Sequence, residues 1–307
     1  MGFLLEFILL AIGFALLVKG ADYFVDGAAS VAAKFKIPQL IIGLTVVAMG
    51  TSAPEAAVSI SAAFAGNAEI TIGNIVGSNI LNILIILGIS SLIAVLKVAK
   101  STIWIEIPIM TAATVLLLFL GFDGIISLPD ALLIFVCFIG FLFYTIVSAR
   151  KSNEQGENIK VMSVPKSLIF TVAGLAMIIA GSRFTVNSAS AIAKMIGLSE
   201  RFIGLTVVAL GTSLPELFTS VMAAHKGNAD IAIGNIVGSN IFNILFIVGF
   251  SGLILPVPFP EGFIFDTSVS IATCVLLFAL CAPKKELRSV SGIVMLVCYA
   301  VYFACIL

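Results

Sequence analysis

Two glutamates, Glu55 and Glu216, each sit inside an otherwise apolar stretch long enough to be a helix, and each follows the same residues. Gly50, Thr51, Ser52 and Pro54 precede the first; Gly211, Thr212, Ser213 and Pro215 precede the second. Proline has no N–H and clashes with the carbonyl four residues back, so Pro54 should free the oxygen of Gly50 and Pro215 that of Gly211. The result is a broken helix whose first half ends in carbonyls carrying partial negative charge, around residues 47–50 and 208–211. The glutamate then falls in the first turn of the second half, where the helix dipole favours its ionised form. Carbonyls and a carboxylate meeting at one break suit a cation.

A second element adds amides and hydroxyls. Asn74, Ser78 and Asn82 are spaced four apart and share one helical face, and Asn235, Ser239 and Asn243 repeat the pattern. Gly73, Gly77, Gly234 and Gly238 keep that helix thin enough for close approach. Asn79 and Asn240 point elsewhere by helical geometry. Glu55 and Glu216 offer up to four carboxylate oxygens, and carbonyls near Thr51 and Thr212 add two. Water or the amides Asn82 and Asn243 complete the roughly six to eight oxygens that calcium takes. No soft sulfur or imidazole accompanies them, which argues against zinc or copper. Two negative charges match one divalent cation or two or more monovalent ones, so the set points to calcium or sodium. The alternative for each half is a kinked helix holding a protonated glutamate, with the amides serving packing alone.

These residues recur because the chain is internally duplicated. Residues 43–90 and 204–251 align without a gap at an offset of 161, with 33 identities in 48 positions. The whole chain of 307 residues is 61% hydrophobic and only 10% charged, with a mean hydropathy of +1.23. Soluble domains carry about a quarter charged residues, so this is an integral membrane protein. Its zero net charge excludes a broad nucleic-acid-binding face. The first apolar run begins at Gly2 without a basic leader and reads as a retained span.

The expected fold is all-α, with ten transmembrane helices at 3–26, 39–64, 70–95, 102–121, 128–149, 165–190, 201–225, 231–254, 263–281 and 289–306. Helices 2 and 7 are the broken ones. Residues 1–149 form one five-helix repeat, 150–164 a polar linker, and 165–307 the second repeat. Five crossings per half place the second copy upside down relative to the first, an inverted repeat. Twelve Lys and Arg lie in connections after odd-numbered helices and two after even-numbered ones. By the positive-inside rule the linker is cytoplasmic and both termini are outside the cell membrane.

The remaining polar residues read as structural. Asp22 and Arg183 hold equivalent positions near span ends, and Lys19, Asp26, Glu106 and Asp266 read as interfacial. His225 reads as a solvated turn residue. The five cysteines lie in or at the ends of spans and read as packing residues, and the phenylalanine-rich spans as lipid-facing.

The paired Gly-Thr-Ser-x-Pro-Glu motifs, and Gly-Asn-x-x-Gly-Ser-Asn-x-x-Asn at 73–82 and 234–243, resemble the sodium/calcium exchangers of the calcium/cation antiporter superfamily, over nearly the whole chain. The likeness is to the minimal, prokaryotic type. It implies two inverted five-helix halves and calcium held by Glu55 and Glu216 with the carbonyls of Thr51 and Thr212. It also implies sodium sites using Ser52, Ser78, Ser213, Ser239 and the carbonyls of Ala48 and Ala209, with the same glutamates and threonines. Several relatives, the potassium-dependent branch among them, carry Asp where this chain has Asn243. Holding only two carboxylates, it looks more like the potassium-independent exchangers.

The function expected is therefore a secondary active antiporter, not an enzyme, exchanging Ca2+ for Na+ in a lipid bilayer without a cofactor. Proton- or potassium-coupled antiport is the alternative. A cation channel would use the same ligands without a counter-ion, and a receptor or scaffold would hold calcium without flux. Duplicated broken helices favour the transporter.

Overall fold

A computed structural model describes residues 2–151, 162–196 and 209–306. Most of the linker and the start of the expected seventh helix, with Arg201 and Val208, lie outside the described residues.

The first long apolar run forms α1 (Gly2–Phe35), longer than expected because nothing from Gly2 to Phe35 breaks it. Pro38 then starts α2 (Gln39–Ile42), which continues through a π-helical turn (Gly43–Val47) into α3 (Ala48–Thr51). After Ser52 the chain bends by 50° into α4 (Ala53–Phe64), with Pro54 in its first turn. The next element is α5 (Glu69–Leu81), a π-helical turn (Asn82–Leu87) and α6 (Gly88–Ile93). A π-turn (Thr102–Glu106) opens α7 (Ile107–Leu120), and α8 (Leu128–Lys151) closes the first half.

The second half runs α9 (Val164–Met195), α10 (Ala209–Thr212), α11 (Leu214–His225) and α12 (Ala229–Phe242). A π-turn (Asn243–Val248) leads into α13 (Gly249–Ile254), followed by α14 (Gly262–Cys281) and α15 (Ser289–Ile306). Among the described residues seven helices are long and apolar enough to cross a bilayer, and an eighth is added if the bent pair counts as one. The protein is thus a mostly helical, multi-pass membrane protein.

Four short strands close two ribbons: Leu96–Lys97 with Glu286–Leu287, and Ile125–Ile126 with Val257–Pro258. Adding the repeat offset of 161 to Leu96 gives Val257, and to Ile126 gives Leu287. The pair Leu96–Leu287 therefore maps onto Val257–Ile126, and each ribbon is the image of the other.

The long helices α1 and α9 pack backbone to backbone. A Cβ on Gly13 would lie 2.5 Å from Thr185 Oγ1, one on Gly20 2.9 Å from the Gly174 carbonyl, and one on Gly27 2.5 Å from Thr171 Oγ1. Gly13, Gly20 and Gly27 recur every seven residues, so one narrow seam brings the helices together. Lys226, in the turn between α11 and α12, reaches α1 and binds Asp22 and Asp26, each at 2.6 Å. Asp22 thus pairs with the second half's turn, whereas its positional equivalent Arg183 is exposed.

The centre is formed by α5 and α12. From Ile231 to Phe242 every residue of α12 is buried, whereas α8 keeps an exposed apolar face at Leu132, Val136, Ile139, Phe143 and Ile146 that suits lipid. The expectation that the phenylalanines face lipid holds only in part. Phe138 and Phe242 are buried in a ring cluster with Phe135, Phe246 and Phe250, which packs α8 against the π-turn after α12. Cys274 and Cys281 are buried, Cys137 and Cys298 half-buried and Cys305 exposed, all as free thiols.

Candidate cation site

The bend after Thr51 turns Ser52 and Glu55 inward, and the break at Ser213 does the same for Glu216. Ser52 ends α3 with φ −79° and ψ 8°, and Ser213 takes nearly the same values, −87° and 5°. Proline at the second helical position lets α4 and α11 restart immediately. Glu55 and Glu216 are both 1% exposed, although each is surrounded by apolar sequence. The carbonyl of Gly211, expected to be freed by Pro215, accepts a hydrogen bond from Ser182 Oγ of α9 at 2.7 Å. Ser182 carried no sequence signal, because Ala21 stands at its repeat position.

The two halves exchange their polar groups across the centre. Ser52 Oγ donates to Glu216 Oε1 at 2.7 Å, and Ser213 Oγ donates to Glu55 Oε1 at 3.3 Å. Each serine of one motif therefore serves the glutamate of the other. Ser213 Oγ also lies 3.3 Å from Ser78 Oγ, and Ser239 Oγ donates to the Ala48 carbonyl at 3.4 Å. Thr51 Oγ1 is 3.1 Å from the Val47 carbonyl and 3.0 Å from Asn235 Oδ1. Thr212 ends α10 and Ala209 begins it.

The asparagines divide into two sets. Asn74 Nδ2 donates to the Glu55 carbonyl (3.3 Å) and to Ser59 Oγ (3.0 Å), and Asn235 repeats this with the Glu216 carbonyl (3.4 Å) and Ser220 Oγ (2.9 Å). These amides brace the glutamate-bearing turns. Asn79 and Asn240, whose role spacing left open, bind each other reciprocally: each Nδ2 donates to the other's carbonyl at 3.1 Å. Their Oδ1 atoms accept from Asn243 Nδ2 (3.0 Å) and Asn82 Nδ2 (2.9 Å). This fixes the amide orientation of Asn82 and Asn243, whose Nδ2 atoms are used and whose Oδ1 atoms remain.

Those two oxygens are buried without a hydrogen-bond partner among the described residues, and so are Glu55 Oε2 and Glu216 Oε2. A buried polar atom left unsatisfied costs about 1–3 kcal/mol, more when charged. Four such atoms, all acceptors and all symmetry-related in pairs, define a place that wants positive charge. No three His, Cys, Asp or Glu side chains cluster among the described residues, so the set is a mixed one of carboxylate, amide and hydroxyl oxygens. It can strip the hydration shell from a hard cation and replace it.

The sodium/calcium exchanger protein family matches this chain over residues 5–147 and 166–307. The chain belongs to that family. Its curated relatives include the inner membrane protein YrbG of Escherichia coli, 36% identical with 91% of this chain and 89% of that protein covered. The sodium/calcium exchanger MaX1 of Methanosarcina acetivorans is 31% identical, with 97% of each covered. A solved structure of the sodium-calcium exchanger NCX_Mj, soaked with Na+ and without Ca2+, superposes with a TM-score of 0.88 at 31% identity. It covers 98% of this chain and 99% of that one. The protein is therefore a cation antiporter of the sodium/calcium exchanger family, and the oxygen cluster lies at the centre of that fold.

Glu106, expected as a structural residue near a span end, is 1% exposed and accepts a hydrogen bond from Tyr144, 38 positions away. Spacing gave no hint of that partner.

Proposed function

We propose that this protein exchanges Ca2+ for Na+ by alternating access through a site built on Glu55 and Glu216. The four buried acceptor oxygens without partners carry the reading. Calcium would take both carboxylates, the carbonyls of Thr51 and Thr212, and the amide oxygens of Asn82 and Asn243 or water. Sodium ions would use the same glutamates and threonines with Ser52, Ser213, Ser78, Ser239 and the carbonyls of Ala48 and Ala209. Both ions need the same carboxylates and so exclude each other, which makes the exchange obligatory.

The framework is ten transmembrane helices in two inverted repeats, 1–149 and 165–307, joined by a cytoplasmic linker at 150–164, with both termini outside. The two ribbons support this topology. One joins the connections after the third and ninth expected helices, and the other those after the fourth and eighth. Repeat exchange converts one into the other, as inversion requires. Movement would come from α1 and α9 sliding as a pair over the core of α3–α5 and α10–α12. An empty site leaves two carboxylates facing each other at low dielectric, so the slide is favourable only when cations neutralise them.

The test is 45Ca2+ uptake into proteoliposomes preloaded with Na+, with K+, or at acid internal pH. Uptake that requires internal Na+ supports the reading. Uptake driven only by protons or K+ transfers the protein to the alternative couplings, and uptake indifferent to internal ions makes it a channel.

A further inference from the structure

We infer that Lys226, Asp22 and Asp26 form a one-sided ion-pair latch that ties α1 to the core and favours one of the two end states of the transport cycle. The inference rests on the sliding of α1 and α9 proposed above.

An inverted repeat makes the two end states images of each other, because exchanging the halves exchanges the faces of the membrane. A chain with identical halves would populate both equally, so any preference built into the chain comes from positions at which the copies differ. Three positions that differ in charge meet in one place. Lys226, in the turn between α11 and α12, has Ala65 as its counterpart at the offset of 161. Asp22 and Asp26 of α1 have Arg183 and Asn187 of α9. Lys226 Nζ lies 2.6 Å from Asp22 Oδ1 and 2.6 Å from Asp26 Oδ1, and donates to the Asp22 carbonyl at 2.9 Å. The three protons of the ammonium thus have three acceptors, all on α1. On the other face Ala65 offers no charge, and Arg183 and Asn187 are exposed. The apolar contact beside the pair is one-sided too. Phe14 of α1 meets Phe218 of α11 with ring centroids 6.2 Å apart, and their counterparts are Leu175 and Ala57.

The spacing of the carboxylates makes the pair a latch. Asp22 and Asp26 are four residues apart, so they share a helical face and stand roughly 6 Å apart along the axis. Lys226 holds both at once. Sliding α1 by about that distance carries at least one carboxylate out of reach, so the doubly paired position resists displacement. The lysine side chain is 20% exposed and the two carboxylates 32% and 46%, so water screens the pair in part and it biases the equilibrium without locking it. The favoured state is the one with α1 closed on the α11–α12 turn, which the proposed topology puts on the cytoplasmic side.

The experiment reads the position of α1 by double electron–electron resonance between spin labels on Lys34→Cys and His225→Cys. It uses the full-length chain with its native cysteines replaced by serine or alanine, in Na+, in Ca2+ and in neither. The latch predicts that K226M and, separately, D22N/D26N raise the ratio of minor to major distance about three- to fivefold. K226M added to D22N/D26N shifts it no further, and K226R keeps the parent distribution. D22N/D26N decides the matter if the K226M protein does not fold. A parent that responds to the ions, with variants that match it throughout, overturns the latch and leaves the sliding intact. Additive shifts from the lysine and the aspartates, which would show that they act apart, overturn the latch as well. One distance in the parent and in every variant, whatever the ion, overturns the sliding and the latch with it.

Discussion

At the scale of single residues, the site is held by an exchange of hydrogen bonds between copies. Ser52 serves Glu216, Ser213 serves Glu55, and Asn79 and Asn240 hold each other while fixing Asn243 and Asn82. Asn79→Ala removes one donor to the Asn240 carbonyl and the acceptor of Asn243 Nδ2. Its expected cost is about 0.5–2 kcal/mol. Thermal unfolding in detergent should show the loss as a lower midpoint, with Asn240→Ala matching it because the two are equivalent. The glutamates were legible in the sequence because a carboxylate in an apolar run is rare and the duplication repeated its flanks. The role of Asn79 was not, because helical spacing gives the face a residue occupies and not what that face meets. The partner of Glu106 was hidden for the same reason: helical spacing does not reveal a tyrosine 38 positions away.

At the scale of elements, the proposed motion turns on the breaks at Ser52 and Ser213 and on the seam between α1 and α9. The breaks were readable from Gly, Pro and Glu in order. The π-turns beginning at Asn82 and Asn243 were not, since no residue type signals an i→i+5 ladder; such turns recur at functional sites. The seam was only half visible, because glycine spacing marks a thin face without naming its partner. Gly20→Val places carbon within 2.9 Å of Gly174 and Ile178 backbone atoms and should drive the two long helices apart. Exchange should fall severalfold at unchanged expression. Gly140→Ala is the control: a Cβ there meets nothing within 4 Å among the described residues, and transport should match the wild type.

At the scale of the whole molecule, two half-proteins related by exchange of their ribbons surround one shared cluster of oxygens. The proposed inverted topology would place the linker and the termini on opposite faces of the bilayer. A single cysteine at residue 155, in a chain with its native cysteines replaced by serine or alanine, should react with a membrane-impermeant maleimide only after right-side-out cells are opened. One at residue 2 should react before. The central claim is that calcium and sodium share Glu55 and Glu216, and Na+-driven 45Ca2+ uptake by Glu55→Gln and Glu216→Gln proteoliposomes tests it most directly. The account predicts that each substitution alone abolishes uptake while the protein still folds; wild-type uptake by both would contradict it.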